Sequence, residues 1–322
     1  MVGKYDIVVE NAYLKYEFTI RRNITIIRGD SATGKTTLTE MIRSYFEDDD
    51  SGIKVKSEKE LVVVSGKNWK QQIEGCSDSI IFIDEQNRFV KSDEFVSTIK
   101  GTDNYYVIIT REKLSNLPYS VTEIYGIRNR GKYAGLVGTY TQNEFYRIYG
   151  EHPTLKFSPD VIITEDSNSG FDFWRAFFSD RECISAEGKS NIIDAVKNYR
   201  NSDNSFLAIV DGAAFGPEME DIIQYIKYNN PKLEVYAPES FEYVILDSGI
   251  IGESTELKNK LTHTEDYADS VKYMSWEQFY TKLLASMTIG TEKAYTKSKL
   301  NQYYLSEKQL MMVRKNIPEQ IG

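Results

Sequence analysis

Apolar positions along the chain recur with two different periods, and the period changes at recognisable punctuation. From Tyr5 to Ile27 the runs are short and strand-like: Asp6 to Val9, Leu14 to Ile20 with partial alternation, then Ile24-Thr-Ile-Ile27. A glycine-containing turn follows. Beyond it Leu38, Met41, Ile42, Tyr45 and Phe46 share the spacing of one apolar stripe on a helix, which Asp48 to Gly52 stops. Further strands are predicted at Leu61 to Val64, Ile80 to Ile83 and Tyr105 to Ile109, separated by polar or helical stretches. That rhythm predicts an α/β domain with a mainly parallel sheet over residues 1–150.

His152-Pro153 and Ser158-Pro159 punctuate the chain, and a second alternating series begins. Its strands are predicted at Val161 to Ile163, Cys183 to Ser185, Phe206 to Val210 and Leu233 to Tyr236. The intervening helices run through Phe171 to Phe178, through Ile192 to Tyr199, and from Pro217 past Ile226. This predicts a second, smaller Rossmann-like α/β domain over 151–252. Strand and glycine signals then thin out, and Trp276, Phe279, Tyr280, Leu283, Leu284 and Met287 trace a helical stripe. Residues 253–322 are therefore expected as a helical tail, with that stripe a docking or dimer face.

Composition excludes more than it identifies. With 41% hydrophobic and 27% charged residues, the chain is neither disordered nor fibrous. Cys76 and Cys183 are too few for a disulfide framework and do not stand in metal-ligand spacing with His152 and His263. A reducing cytoplasm is expected. No apolar run approaches the length that spans a bilayer, so no membrane partner is expected. A net charge of −9 argues against diffuse adhesion to nucleic acid. The local mixture of Lys293, Lys297, Lys299 and Lys308 with Tyr295, Tyr303 and Tyr304 leaves a nucleic-acid contact open.

The chemistry begins at Gly29-Asp30-Ser31-Ala32-Thr33-Gly34-Lys35-Thr36, which matches G-x-x-x-x-G-K-[ST] between an apolar strand and an amphipathic helix. Glycines let backbone N–H groups close around phosphate oxygens, and the helix start supplies unpaired donors. Lys35 is expected on the β- and γ-phosphates, Thr36 on Mg²⁺ and Thr37 at the α-phosphate. Ile80 to Ile83 leads into Asp84-Glu85, with Asp84 expected to hold Mg²⁺ through water and Glu85 to activate the attacking water. Thr110 and Arg111, after the next strand, are candidate γ-phosphate sensors, and Arg128 or Arg130 a candidate arginine finger. With no strong finger evident in the same chain, ATP is expected to favour a homo-oligomer.

These residues resemble the P-loop NTPases, and the adjacent pair Asp84-Glu85 resembles the ATP-hydrolysing branches rather than the small-molecule kinases. The resemblance implies a Mg²⁺-dependent ATPase. No Asn-Lys-x-Asp guanine motif is present, since Val90-Lys91-Ser92-Asp93 lacks the Asn. The paired strands before the motif resemble ABC-type ATPases, although no Leu-Ser-Gly-Gly-Gln stands between the two motifs.

In the second domain acidic residues follow the predicted strands: Glu165 with Asp166, Asp211, and Glu239 with Glu242. Strand ends of open α/β sheets gather ligands, and converging carboxylates suit Mg²⁺ or Mn²⁺. The plainer alternative is that Asp166 caps a helix and Asp211 serves a turn with Gly212. The series Val161 to Glu165, Glu187-Gly-Lys-Ser-Asn191 and Ala208 to Asp211 resembles the Toprim fold, in particular that of the overcoming-lysogenisation-defect nucleases, which join it to an ATPase. The resemblance implies a nuclease in phage defence or mobile-element maintenance. It departs from the pattern at Ala213, where the second Asp of Asp-x-Asp belongs, so Glu218, Glu239 or Glu242 would have to substitute. The alternatives are an ATP-driven switch with a silent second domain that binds a protein partner, and a P-loop kinase.

Overall fold

The computed structural model describes residues 1–29, 34–130, 140–150, 158–199, 204–229, 231–318 and 321, the side chain of Arg130 excepted. The chain forms two units. One comprises Met1–Tyr149 with Glu265–Ser275, and the other Gly150–Thr264 with Trp276–Gly322. The segment 253–322, expected as a tail, is thus shared out between them rather than standing apart.

The elements of the first unit are β1 (Tyr5–Glu10), β2 (Leu14–Ile20), β3 (Ile24–Ile27), α1 (Lys35–Glu47), β4 (Lys54–Lys56), β5 (Glu60–Val64), α2 (Trp69–Glu74), β6 (Ser79–Ile83), α3 (Asp93–Ile99), β7 (Tyr105–Ile109), β8 (Ile124–Arg130) and β9 (Thr141–Arg147). Among the described residues they build a nine-stranded sheet in the order β4-β1-β2-β9-β8-β3-β7-β6-β5. The five strands from β8 to β5 are mutually parallel, and the wing from β4 to β9 carries antiparallel pairs. The parallel centre is buried on both faces, which is why β3, β6 and β7 read as nearly unbroken apolar runs. On one face Ile27, Phe82, Val107 and Ile109 pack with Leu38, Met41 and Ile42 of α1. On the other Ile26, Ile81, Ile83 and Ile108 pack with Trp69 and Ile73 of α2 and Phe95 and Ile99 of α3. Ser92 starts α3 by accepting the Phe95 N–H at 3.1 Å, with Asp93 and Glu94 in the first turn.

Two sequence expectations change here. The stripe on α1 ends at Ile42, because Tyr45 and Phe46 are 37% and 53% exposed and stack edge-on with each other instead. Three strands, β4, β8 and β9, form where the apolar pattern gave no strand, two of them polar in composition and held by pairing with better-patterned neighbours.

The second unit runs through β10 (Val161–Thr164), α4 (Ser169–Phe177), β11 (Glu182–Ser185), α5 (Ile192–Asn198), β12 (Phe206–Ile209), α6 (Gly216–Asn229), β13 (Leu233–Tyr236), α7 (Phe241–Asp247), α8 (Thr255–Thr262), α9 (Trp276–Thr288) and α10 (Glu307–Asn316). Its described strands form a wholly parallel sheet ordered β11-β10-β12-β13. The stripe on α9, expected as a docking face, is internal: Trp276, Phe279, Tyr280 and Leu284 are buried, and Tyr280 meets Tyr243 of α7 edge-on. Only Met287 of that stripe is exposed. Of the three tail tyrosines, Tyr295 and Tyr304 are buried and Tyr303 is half-buried. Among the described residues no helix is long and apolar enough to cross a membrane.

Candidate functional site

The centre of the first sheet decides what meets at its edge. β7 lies between β3 and β6, with Ile27 opposite Ile109 and Ile83 opposite Ile108, so all three strands end at one edge. The residues that leave those ends are Arg28 and Gly29, Asp84 and Glu85, and Thr110 and Arg111. With one strand between them, β3 and β6 stand roughly 10 Å apart.

Gly29 and Gly34 both have positive φ, 130° and 88°, conformations open to glycine at little cost. The Lys35 ammonium, on a buried residue, donates to the Gly29 carbonyl at 2.8 Å and closes the turn on itself. Thr36 and Thr37 are exposed on the first turn of α1. Asp30, Ser31, Ala32 and Thr33 lie outside the described residues. Asp84 is half-buried, and its Oδ1 accepts the Glu85 N–H at 2.7 Å. Glu85 pairs with Arg111 at 2.8 Å, joining the candidate base to a candidate sensor. Thr110 is turned inward: its Oγ1 accepts the Glu112 N–H at 3.0 Å. Arg128 sits opposite Glu144 in the β8–β9 register and is held there at 2.6 Å, with its guanidinium over Tyr146. As placed it is a cross-strand ion pair. Arg130's side chain lies outside the described residues.

Two residues at this edge escaped the sequence reading. Tyr16 of β2 donates its phenol to the Gly34 carbonyl at 2.6 Å, and Asn143, its register partner on β9, stands beside it. Burial pushes the Tyr16 phenol up to about 12, while hydrogen bonds from Asn143 and Thr37 act against that rise. No motif marks either residue. Tyr16 reads as an ordinary strand position, and β9 was not predicted at all.

In the second unit Glu165 directly follows β10 and Asp211 stands two residues beyond β12, its neighbour in the sheet. The Asp211 N–H donates to Glu165 Oε2 at 3.1 Å, and Asp211 Oδ1 accepts the Phe241 N–H at 3.0 Å, at the start of α7. Burial raises both carboxyls, Glu165 to about 7. Glu277 adds to each rise, and Glu165 and Glu242 act further on Asp211. Glu242, unlike half-buried Glu165 and Asp211, is fully buried. Its Oε1 takes the Thr281 and Tyr295 hydroxyls at 2.9 and 2.7 Å, while Oε2 has no partner among the described residues. Asp166 accepts the Phe171 N–H of α4 at 3.2 Å, as the helix-capping alternative expected. Glu239 gives its backbone carbonyl to the Ala213 N–H at 3.0 Å, and Glu218 is buried.

Glu277 and Lys297 complete the cluster; no motif marks Glu277, and Lys297 was expected only among the lysines of a possible nucleic-acid contact. They form an ion pair with each other. The Lys297 ammonium is raised: burial alone would lower it, but Glu277, Asp211 and Glu242 outweigh that. A small cleft opens beside Glu165 and Asp211, lined also by Thr164, Asp166, Trp174 and Phe241. Among the described residues, no three Asp, Glu, His or Cys side chains converge so as to hold a metal ion.

No known protein family, curated protein or solved structure matches the chain. The two strand-end clusters therefore have to be read on their own chemistry.

Proposed function

We propose that the first unit is a P-loop ATPase, and that it acts as a nucleotide-driven switch on a Toprim-like second unit that binds a partner without cutting nucleic acid. The observation that carries the ATPase reading is the edge where β3, β7 and β6 end. It gathers a lysine on a glycine turn, exposed hydroxyls at a helix start, and an Asp-Glu pair tied to an arginine.

Each residue then has a task. The Gly29 carbonyl holds the Lys35 ammonium in wait, and triphosphate oxygens outcompete a neutral carbonyl for it. The Thr36 hydroxyl and Asp84 carboxylate are the hard oxygen donors that Mg²⁺ takes, and the ion would neutralise charge on the β- and γ-phosphates. Glu85 is tied to Arg111; transfer of that guanidinium to a phosphate oxygen would release the carboxylate to accept a proton from water. ATP is preferred over GTP because the guanine motif is missing.

Lys35→Ala should abolish hydrolysis and weaken Mg·ATP binding strongly. Glu85→Gln should keep binding and slow turnover by about 10²-fold, the loss expected of a general base. Isothermal titration and phosphate release read the two separately. Parental turnover in the Gln variant would remove Glu85 from the role, and transfer of phosphate to an acceptor other than water would favour a kinase.

For the second unit, the non-cutting reading is supported by the state of its carboxylates. Asp211 and Glu165 are half-buried and each accepts a backbone N–H, buried Glu242 is capped by two hydroxyls, and Ala213 stands where the Toprim pattern has an acid. Incubation with Mg²⁺ or Mn²⁺ and duplex or single-stranded nucleic acid should leave the strands intact. Cleavage that Asp211→Asn abolishes while ATP hydrolysis persists would instead establish the nuclease reading.

A further inference from the structure

An ion pair stands at the strand-end edge of the first unit between two pinned backbones. The Thr110 N–H donates to the Ile27 carbonyl at 3.1 Å, its Oγ1 accepts the Glu112 N–H at 3.0 Å, and Arg28 Nη2 donates to the Glu112 carbonyl at 3.4 Å. The backbone on both sides of Arg111 is thereby tied to the end of β3. Glu85 leaves β6 in a turn closed as firmly. Asp84 Oδ1 accepts the Glu85 N–H at 2.7 Å, and the Asp84 carbonyl accepts the N–H and Nδ2 of Asn87 at 3.1 and 3.0 Å. Asn87 Oδ1 in turn accepts the Gly66 N–H at 3.1 Å. The side chains that meet between these turns are far more open: Arg111 Nε and Glu85 Oε1 stand 2.8 Å apart, with 49% and 33% of the two side chains exposed.

β7, which leads into Arg111, lies between β6, which leads into Glu85, and β3, which opens the glycine turn. Neighbouring strands are about 4.8 Å apart, so a side chain as long as arginine on the middle strand can serve either side. An ion pair this open to water changes an equilibrium constant by no more than about 5-fold. A terminal phosphate offers the guanidinium more charge and a forked set of oxygens, and it is the stronger partner. In a P-loop NTPase the γ-phosphate faces the attacking water, the water that Glu85 is read to activate. Of the three phosphates it is therefore the γ that competes with Glu85 for this arginine.

We propose that Arg111 is a specificity-determining residue of the nucleotide site, whose guanidinium is contested between the Glu85 carboxylate and the γ-phosphate of ATP. ADP, which has no γ-phosphate, leaves the pair intact and the base occupied. ATP takes the arginine and frees the base, so the nucleotide that can be hydrolysed is also the one that arms the site. This assignment rests on the ATPase reading and adds to it how the site tells ATP from ADP.

The test is equilibrium titration of the full-length protein with the β,γ-imido analogue of ATP and with ADP, each with Mg²⁺. Arg111→Gln should weaken the analogue about 10-fold, the loss of one charge-assisted contact, and leave ADP unchanged. Glu85→Gln removes the competitor and should tighten the analogue about 2–5-fold, again with ADP unchanged. The double variant should bind the analogue as Arg111→Gln does, because without the arginine there is nothing to release. Parental ADP affinity in each variant also reports an intact site. Should Arg111→Gln not fold, Arg111→Met keeps an unbranched side chain and carries the same comparison. A Glu85→Gln variant that fails to tighten the analogue would overturn the competition. So would tightening that survives in the double variant, since that is plain relief of charge repulsion, and so would an equal loss of ADP in Arg111→Gln. Each of these outcomes leaves the ATPase reading standing, whereas a parental protein that binds neither nucleotide would overturn both.

Discussion

At the scale of single residues, Gly34 is a position with little freedom. Its φ of 88° is one that side chains rarely adopt, and a Cβ placed there would stand 2.5 Å from the Tyr16 hydroxyl and 3.1 Å from Asn143 Nδ2. Gly34→Ala should therefore lose Mg·ATP affinity by at least 10-fold and destabilise the first unit by about 1–3 kcal/mol, read by titration and urea unfolding. Unchanged affinity would mean that the turn has room the structure does not show. Lys35, Asp84, Glu85 and Arg111 were legible from sequence because each follows a predicted strand or sits within one short motif. Tyr16, Asn143 and Glu277 were not, and Lys297 was read only as part of a possible nucleic-acid contact. Their roles depend on which strands pair and which helix returns to a sheet edge, and apolar periodicity carries no information on either.

At the scale of elements, the strands and helices that read clearly are those whose burial matches a single period. β3, β6 and β7 are buried throughout, and α9 keeps one buried face. The polar strand β9, with sequence Thr-Gln-Asn-Glu-Phe-Tyr-Arg, is stabilised from outside: β2 and β8 pair with it, and Phe145 stacks on Phe18 at 4.2 Å. What the sequence cannot distinguish is an apolar stripe meant for a partner from one meant for its own chain. For α9 the choice is testable. Leu284 is fully buried, so Leu284→Ala should cost about 2–5 kcal/mol in urea unfolding, as for a core cavity. A cost under about 1 kcal/mol would restore the docking-face expectation.

At the scale of the whole molecule, the half-buried carboxylates Glu165 and Asp211 make the second unit's stability depend on pH. Glu165 is raised from an ordinary 4.5 to about 7, first by burial and then by Glu277, so between those values the folded unit holds a proton that the unfolded chain has released. Stability is full below about 4.5 and declines as pH rises through about 7. Asp211 contributes in the same sense. Urea unfolding followed through Trp174 and Trp276 should show this decline, and Glu165→Gln should flatten it. A second-unit transition that strengthens over that interval would contradict the assignment.

The first unit is assembled from two stretches of chain, Met1–Tyr149 and Glu265–Ser275, and the later stretch is not a loose addition. The Asn23 amide, in the turn before β3, donates to the Tyr273 carbonyl at 2.9 Å, and Ser270 Oγ donates to the Thr102 carbonyl at 3.0 Å. On the ribosome these partners emerge only after more than a hundred intervening residues. The first unit must wait, with its turn before β3 unfinished, while most of the second unit is being made. Likewise the second unit lacks Glu277 and Lys297 until the first has received its last segment. The order of synthesis thus makes each unit's completion late and nearly simultaneous, so a nascent or truncated chain would present neither site in finished form.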